Sequence, residues 1–304
     1  MSAVPSRLLD ASSGAADHIQ LISLETLNIN RSEFLAPLEG SFASLPLDLY
    51  DQRTARFRFL EQRLTGLSSR LAALFPRYHA GELADAELEP FLAALSDDDR
   101  EHFFRIQPFR RRAMDRYELE RTESGTWHIH TPAQTGAPFL QSSGNAHPDS
   151  GDYDYRGLPR LFAPISPALT QTAVYRRFLC GVADCVYASR PGARMTMFVH
   201  HMHTFVTPEQ NIASNTPEGI HQDGSDFIVS AFVVERHHVE GGESRIYVDK
   251  GNTLIFRTQL DVGQGLIQPD LGTPLWHELT PLRLSPSTSS YGFRSIIGID
   301  IDFL

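Results

Sequence analysis

The 304-residue chain predicts a mainly β protein with a helical N-terminal part. In the first third, Phe57, Leu60, Leu64, Leu67, Leu71 and Leu74 recur at three- and four-residue steps with charges between them, the period of one helix face. After about Tyr117 the pattern shortens to alternating or apolar runs separated by Gly, Pro, Asn and Asp clusters, as strands joined by polar turns require. Composition agrees with a packed globule: 41% of residues are hydrophobic and 21% charged, which excludes disordered and fibrous classes.

Taken in order, residues 1–20 are rich in Ser, Ala and Gly and read as a loose leader, while 21–44 show no assignable period. The helical pattern starts at Asp51. A second helix is expected over 84–95, interrupted by Pro90, and a third over 96–104 with Ser96 as cap and acids in its first turn. Together, 21–116 form a mainly helical region packed on a core of 117–304. Within that core, strands are expected at 126–130, 195–205, 227–234, 244–248, 252–256 and 295–301, with one helix at 167–187. Many short strands with polar turns favour a β-sandwich or barrel over a parallel α/β sheet.

A formal net charge of -10 argues against nucleic acid as the main partner. The local exception, RIQPFRRRAMDR over 105–116, reads first as a solvated face paired with the acidic run 96–101, and second as a site for an anionic ligand. Cys180 and Cys185 lack the spacing of a zinc or redox pair and read as buried free thiols, which fits a reducing, cytoplasmic setting. No apolar run reaches the roughly 18 residues needed to span a bilayer, so no membrane association is expected.

The stretch PEGIHQDGSDF places His221 and Asp223 two positions apart, on one face if the backbone is extended. An H-x-D pair alone is a weak signal. A non-haem iron centre needs two histidines and a carboxylate, with positions left open for small molecules. His237 and His238 end the strand that follows and are carried away along it, whereas His277 has enough intervening chain to return. Arg294 opens the last strand, where a guanidinium in a dry pocket could grip a carboxylate in two-pronged fashion. Along 200–203, alternation sends His201 and His203 to one face and His200 to the other. His201 and His203 are candidate substrate residues, against the plainer role of hydrogen-bonded strand histidines. Asp226 is a candidate for a substrate ammonium, against turn capping, and Arg160 and Arg194 for a substrate carboxylate, against structural roles. Trp276 is expected to pack as core.

The segments PEGIHQDGSDF, VERHHVEGGESRIY, WHELTPL and YGFRSIIGIDIDF, with FLQSS and YRGLPRLF upstream, resemble the iron(II)- and 2-oxoglutarate-dependent dioxygenases of the L-isoleucine hydroxylase type, to which fungal pipecolate and amino-acid oxygenases are related. The resemblance covers roughly residues 135–303. It implies a double-stranded β-helix, a cupin-like jelly roll with the metal at its mouth. It assigns His221, Asp223 and His277 as ligands of Fe(II), and Arg294 as partner of the distal carboxylate of 2-oxoglutarate, with O2 as the third reactant. The implied reaction is hydroxylation of a C–H bond of a small free amino acid or cyclic imino acid, or its desaturation or cyclisation. Related halogenases have a small residue where Asp223 stands, which favours hydroxylation here. Gln222, His237, His238 and the 200–203 segment depart from the family's pattern and put the substrate's identity in question. Two other classes remain: a non-catalytic cupin-type metal-binding protein, and a metal-dependent isomerase or hydrolase with no use for Arg294.

Overall fold

Asp48, Asn30 and Ser96 each accept a backbone N–H and start a helix, so short polar side chains set the boundaries of the N-terminal part. A computed structural model describes residues 6–7, 18–130, 139–140, 157–214, 216, 219–286 and 290–304. Most of the expected leader, and the Gln141–Ser143 and Tyr155–Arg156 parts of the upstream segments, lie outside the described residues.

After β1 (Ser6–Arg7) and β2 (Gln20–Ser23) come five helices: α1 (Arg31–Leu35), α2 (Leu49–Arg63), α3 (Ser68–Ala80), α4 (Glu89–Leu92) and α5 (Asp97–Arg105). The periodic leucines divide between α2 and α3, because Leu64 leaves helical geometry and a short turn over Thr65–Leu67 intervenes. Phe57, Leu60, Leu71, Phe75 and Tyr78 close on Leu88, Phe91 and Phe103 in a core of their own. Ser96 caps α5 as expected, its Oγ accepting from the Asp99 N–H at 3.1 Å.

The later elements are β3 (Arg110–Arg121), β4 (Trp127–His130), α6 (Pro167–Thr170), α7 (Ala173–Ser189), β5 (Arg194–Val206), β6 (Ile212–Ala213), β7 (Phe227–His237), β8 (Val239–Glu240), β9 (Ser244–Val248), β10 (Thr253–Thr258), β11 (Gln264–Pro269), β12 (Trp276–Leu279), β13 (Leu282–Leu284) and β14 (Gly292–Phe303). The protein is mostly β with antiparallel pairing. Seven strands run in the order β2-β11-β7-β14-β5-β3-β4, four in the order β1-β10-β9-β12, and three in the order β6-β13-β8. Among the described residues these sheets close no barrel.

Helix α7 covers one face of the large sheet. Tyr175, Phe178, Leu179, Val182 and Val186 lie on its buried stripe, against Ala113, Tyr117, Met197, Val199, Phe232, Ile297 and Ile299. Each such apolar side chain contributes roughly 1.5–3 kcal/mol on burial. The opposite face meets the four-stranded sheet through Ala231, Val233, Leu266 and Ile296 on one side and Ile246, Phe256 and Leu279 on the other. The space between these two sheets holds the candidate site.

Two expectations are corrected here. The basic run is not a solvated face: only Arg105 keeps the expected partner, Glu101, while Arg110 and Arg112 are buried on β3. Strand alternation, invisible in a run of like residues, turns them inward. Cys180 and Cys185 are unpaired as expected, but both sit half-buried on α7. No helix among the described residues is long and apolar enough to cross a membrane.

Three histidines are sealed in these cores. Burial pushes His79 down to about 4, His201 to about 3 and His203 to about 4, from an ordinary value of 6.5. The unfolded chain then takes up protons below 6.5 that the folded chain refuses, so stability is full above 6.5 and falls as the pH drops towards 4. Each histidine costs roughly 1.4 kcal/mol per pH unit in that window. Urea unfolding at pH 7 and pH 5 should therefore show a loss of several kcal/mol, and equal stabilities at both values would refute it.

Candidate metal centre

His277 and His221 meet through their backbones. β12 pairs with β9 so that His277 and Leu279 face inward, and His221 joins it in a single antiparallel bridge, with N–H to O distances of 3.0 and 2.9 Å. That bridge sets the two imidazoles side by side, ring centroids 4.3 Å apart. Asp223 lies two residues beyond the bridge, outside any regular strand, and the chain turns away only after it, at Gly224 with φ 93, a conformation glycine adopts without strain.

The three side chains form one cluster. Asp223 Oδ1 lies 3.3 Å from His221 Nε2, and its Oδ2 lies 3.3 Å from His277 Nε2. One ligand atom from each falls within 4.8 Å of the others. Burial raises the Asp223 pKa, but the two imidazoles beside it, donating and charged when protonated, outweigh burial and hold the carboxyl well below its usual range. His221 Nδ1–H donates to the Gly219 carbonyl at 2.9 Å, which leaves the Nε2 lone pair aimed at the centre. Two imidazole nitrogens and a carboxylate, oriented in this way, fit a divalent iron.

Gln222, between His221 and Asp223, is buried and turned away from them. Its amide nitrogen lies 3.0, 3.1 and 2.8 Å from the carbonyls of Asp270, Thr273 and Leu275, the turn that leads into β12. Asp270 adds a second tie, accepting from the Gly224 N–H at 2.7 Å. Gln222 therefore fastens the His221 segment to the His277 segment. Gln222→Leu should weaken iron(II) binding by about 10- to 100-fold, the range for groups that orient metal ligands. A competition titration against a chelator measures this, and unchanged affinity would remove the role.

A cavity opens from the cluster onto the inner face of the large sheet. Its position follows from register: β14 pairs β5 without a shift from Gly292 opposite Val206 to Phe303 opposite Met195, and β3 continues the pairing. Arg294, Ile296, Gly298 and Asp300 therefore share a face with Thr204, Met202 and His200, and with Arg110 and Arg112. Arg110, Arg112, Arg160, His200 and Asp300 line the cavity with the three cluster residues.

Arg294 is wholly buried, and none of its three guanidinium nitrogens has a hydrogen-bond partner among the described residues. Burial, and then the charge of Arg236, push it down to about 9. Gly242 leaves room beside it, since a Cβ there would come within 3.1 Å of Nη1. A buried guanidinium without partners is costly and calls for an anion.

Other candidates lie elsewhere. His201 and His203 face α7 and not the cavity: His201 stacks on Phe42 and meets Tyr175 Oη at 2.9 Å, and His203 bonds Ser295 Oγ and Tyr291 Oη, each at 3.0 Å. Arg194 is exposed at the start of β5. Asp226 pairs with Arg190 at 2.6 Å and accepts the Phe303 N–H, away from the cluster. Trp276 is half-buried on the outer face of β12 and is not core. Arg160 does line the cavity. Sequence reasoning did not single out Asp300, named Arg112 only within the basic run whose second reading was a site for an anionic ligand, and set His200 on the face opposite His201 and His203. Alternation separated His200 from its neighbours, but only the packing of α7 shows which face is which.

A family model described as "2OG-Fe dioxygenase" matches residues 92–300. Among solved structures, a bsmA homolog from Methylobium petroleophilum PM1 is similar at a TM-score of 0.60 and 15% identity, over 97% of this chain and 94% of that one. IDO from Bacillus thuringiensis is similar at 0.52 and 12%, over 95% and 91%. At these identities the likeness is one of fold. No curated protein matches the sequence.

Proposed function

The chain belongs to the 2OG-Fe dioxygenase family, and we propose on that premise that it hydroxylates an unactivated C–H bond of a small free amino acid or cyclic imino acid. It is a dioxygenase that uses iron(II) as cofactor and 2-oxoglutarate and O2 as co-substrates. In this reading His221, Asp223 and His277 hold the iron, Arg294 receives the distal carboxylate of 2-oxoglutarate, and the two facing sheets are the family's jelly-roll core. The observation that carries it is the wholly buried Arg294, without a hydrogen-bond partner among the described residues, on the same inner face as the cavity that the three residues line. Neither a non-catalytic metal site nor a hydrolytic one needs that guanidinium.

The bound iron supplies the oxidising chemistry, and the chain's residues decide what meets it. Arg294 orients the co-substrate with two-pronged hydrogen bonds to a carboxylate. Met202, Leu279 and Ile296 supply apolar surface beside the cluster, where a bound substrate that displaced water would strengthen the charge contacts. For hydroxylation the balance is R–H plus 2-oxoglutarate plus O2, giving R–OH plus succinate plus CO2. Desaturation or ring closure would remove two hydrogens from the substrate at the same site.

The test is a screen of free L-amino acids and L-pipecolate for substrate-stimulated succinate release, with mass analysis of the product. A gain of one oxygen means hydroxylation, and a loss of two hydrogens means desaturation or cyclisation. Succinate release that no compound stimulates would sink the amino-acid reading.

A further inference from the structure

We propose that Arg112 and Arg160 seat the substrate's carboxylate and that Asp300 seats its ammonium, so that the enzyme takes its amino acid as the free zwitterion. This rests on the amino-acid reading above and assigns the recognition within it.

Three arginines line the cavity, but they are not equivalent. Arg110 is committed: it meets Asp48 at 2.8 Å and Asp51 at 2.7 Å, with all three side chains buried. Among the described residues Arg112 has no carboxylate partner and its buried Nε no hydrogen-bond partner, while its Nη2 donates to His200 Nδ1 at 3.0 Å. Arg160 is 2% exposed and shares an aromatic platform with Arg112. The Arg112 guanidinium lies 4.4 Å from the Phe162 ring centre and 5.8 Å from that of Phe139, and the Arg160 guanidinium 5.9 and 5.1 Å from the same rings. Two guanidiniums held on two rings in a buried wall form a rigid anion seat.

The cation seat follows from the same network. A guanidinium only donates, so His200 Nδ1 accepts from Arg112, and Nε2 carries the ring's proton and donates to Asp300 Oδ2 at 3.2 Å. Asp300 is thereby aimed from the cavity face of β14, one imidazole ring from Arg112. A carboxylate and an ammonium on one carbon can cover that span with hydrogen bonds to each. Burial and the nearby Asp223 charge push the Asp300 carboxyl well above its usual range, the condition of an acid short of a cation. An inorganic anion would satisfy the arginines and leave Asp300 unused; a zwitterion uses both.

The experiment uses the iron-loaded enzyme and the amino acid that most stimulates succinate release. Its α-amide, its decarboxylated amine and its des-amino acid are compared with it, and each is expected to lose roughly tenfold or more in kcat/KM, since each leaves a buried charge unpaired. Arg112→Gln and Asp300→Asn should each raise KM for the amino acid by roughly tenfold or more while KM for 2-oxoglutarate stays put. Circular dichroism checks that both variants fold, and the wild-type analogue series stands without them. An amide turned over as well as the acid, or an Arg112→Gln variant whose KM rises for 2-oxoglutarate instead, overturns these seats and leaves the amino-acid reading intact. Failure of every free amino acid to stimulate succinate release overturns both.

Discussion

In Asp223→Ala, iron-dependent succinate formation should fall below detection and bound iron should be lost. Asp223 brings the only carboxylate of the cluster, with its two oxygens 3.3 Å from the two imidazoles. Without it two neutral imidazoles remain, which supply neither the third ligand nor the charge that a divalent iron needs. The fold should survive, because the backbone bridge between His221 and His277 and the ties from Gln222 do not pass through the carboxylate. Succinate yield, iron content and circular dichroism measure the three claims. Undiminished turnover would sink the ligand assignment, and loss of fold would void the variant as a test.

Arg294→Leu should have two effects of opposite sign. Without co-substrate the variant should be more stable than the parent, because an uncompensated buried charge is replaced by an apolar group of similar reach. The gain should be on the order of a few kcal/mol, an effective ion burial penalty after relaxation. With co-substrate the order reverses. Losing the partner of a buried carboxylate costs about 2–5 kcal/mol, so KM for 2-oxoglutarate should rise by at least about 30-fold. Thermal melts with and without 2-oxoglutarate show both effects: a higher Tm for the free variant, and a ligand-induced shift in the parent alone. A variant still stabilised by 2-oxoglutarate would place the carboxylate elsewhere.

The cluster was legible in the sequence because its signals are local or ordered: an H-x-D pair, a later histidine and an arginine opening the last strand. Strand positions were legible for the same reason, and 244–248 is strand to the residue. The structure differs where neighbours decide. Gln222 looks like a spacer until the turn it fastens, some fifty residues on, is in place. The arginines of 105–116 look solvated because charge composition carries no information about which way a strand faces. Alternation along 200–203 sets His200 opposite His201 and His203 without saying which face holds a pocket; packing hydrogen-bonds the pair away from the cavity and puts His200 in its wall.

By itself, then, the sequence determined periodicity: where helices and strands run, which residues alternate, and which residue types recur in the order of an iron site. The tertiary structure decided orientation. Helix α7 buries its apolar stripe on one face of the large sheet, and that burial sends His201 and His203 into a core and leaves His200, Arg112, Asp300 and Arg294 facing the second sheet. A period of two makes neighbouring residues opposite without saying which is inside, and only the hydrophobic partner across the sheet settles that.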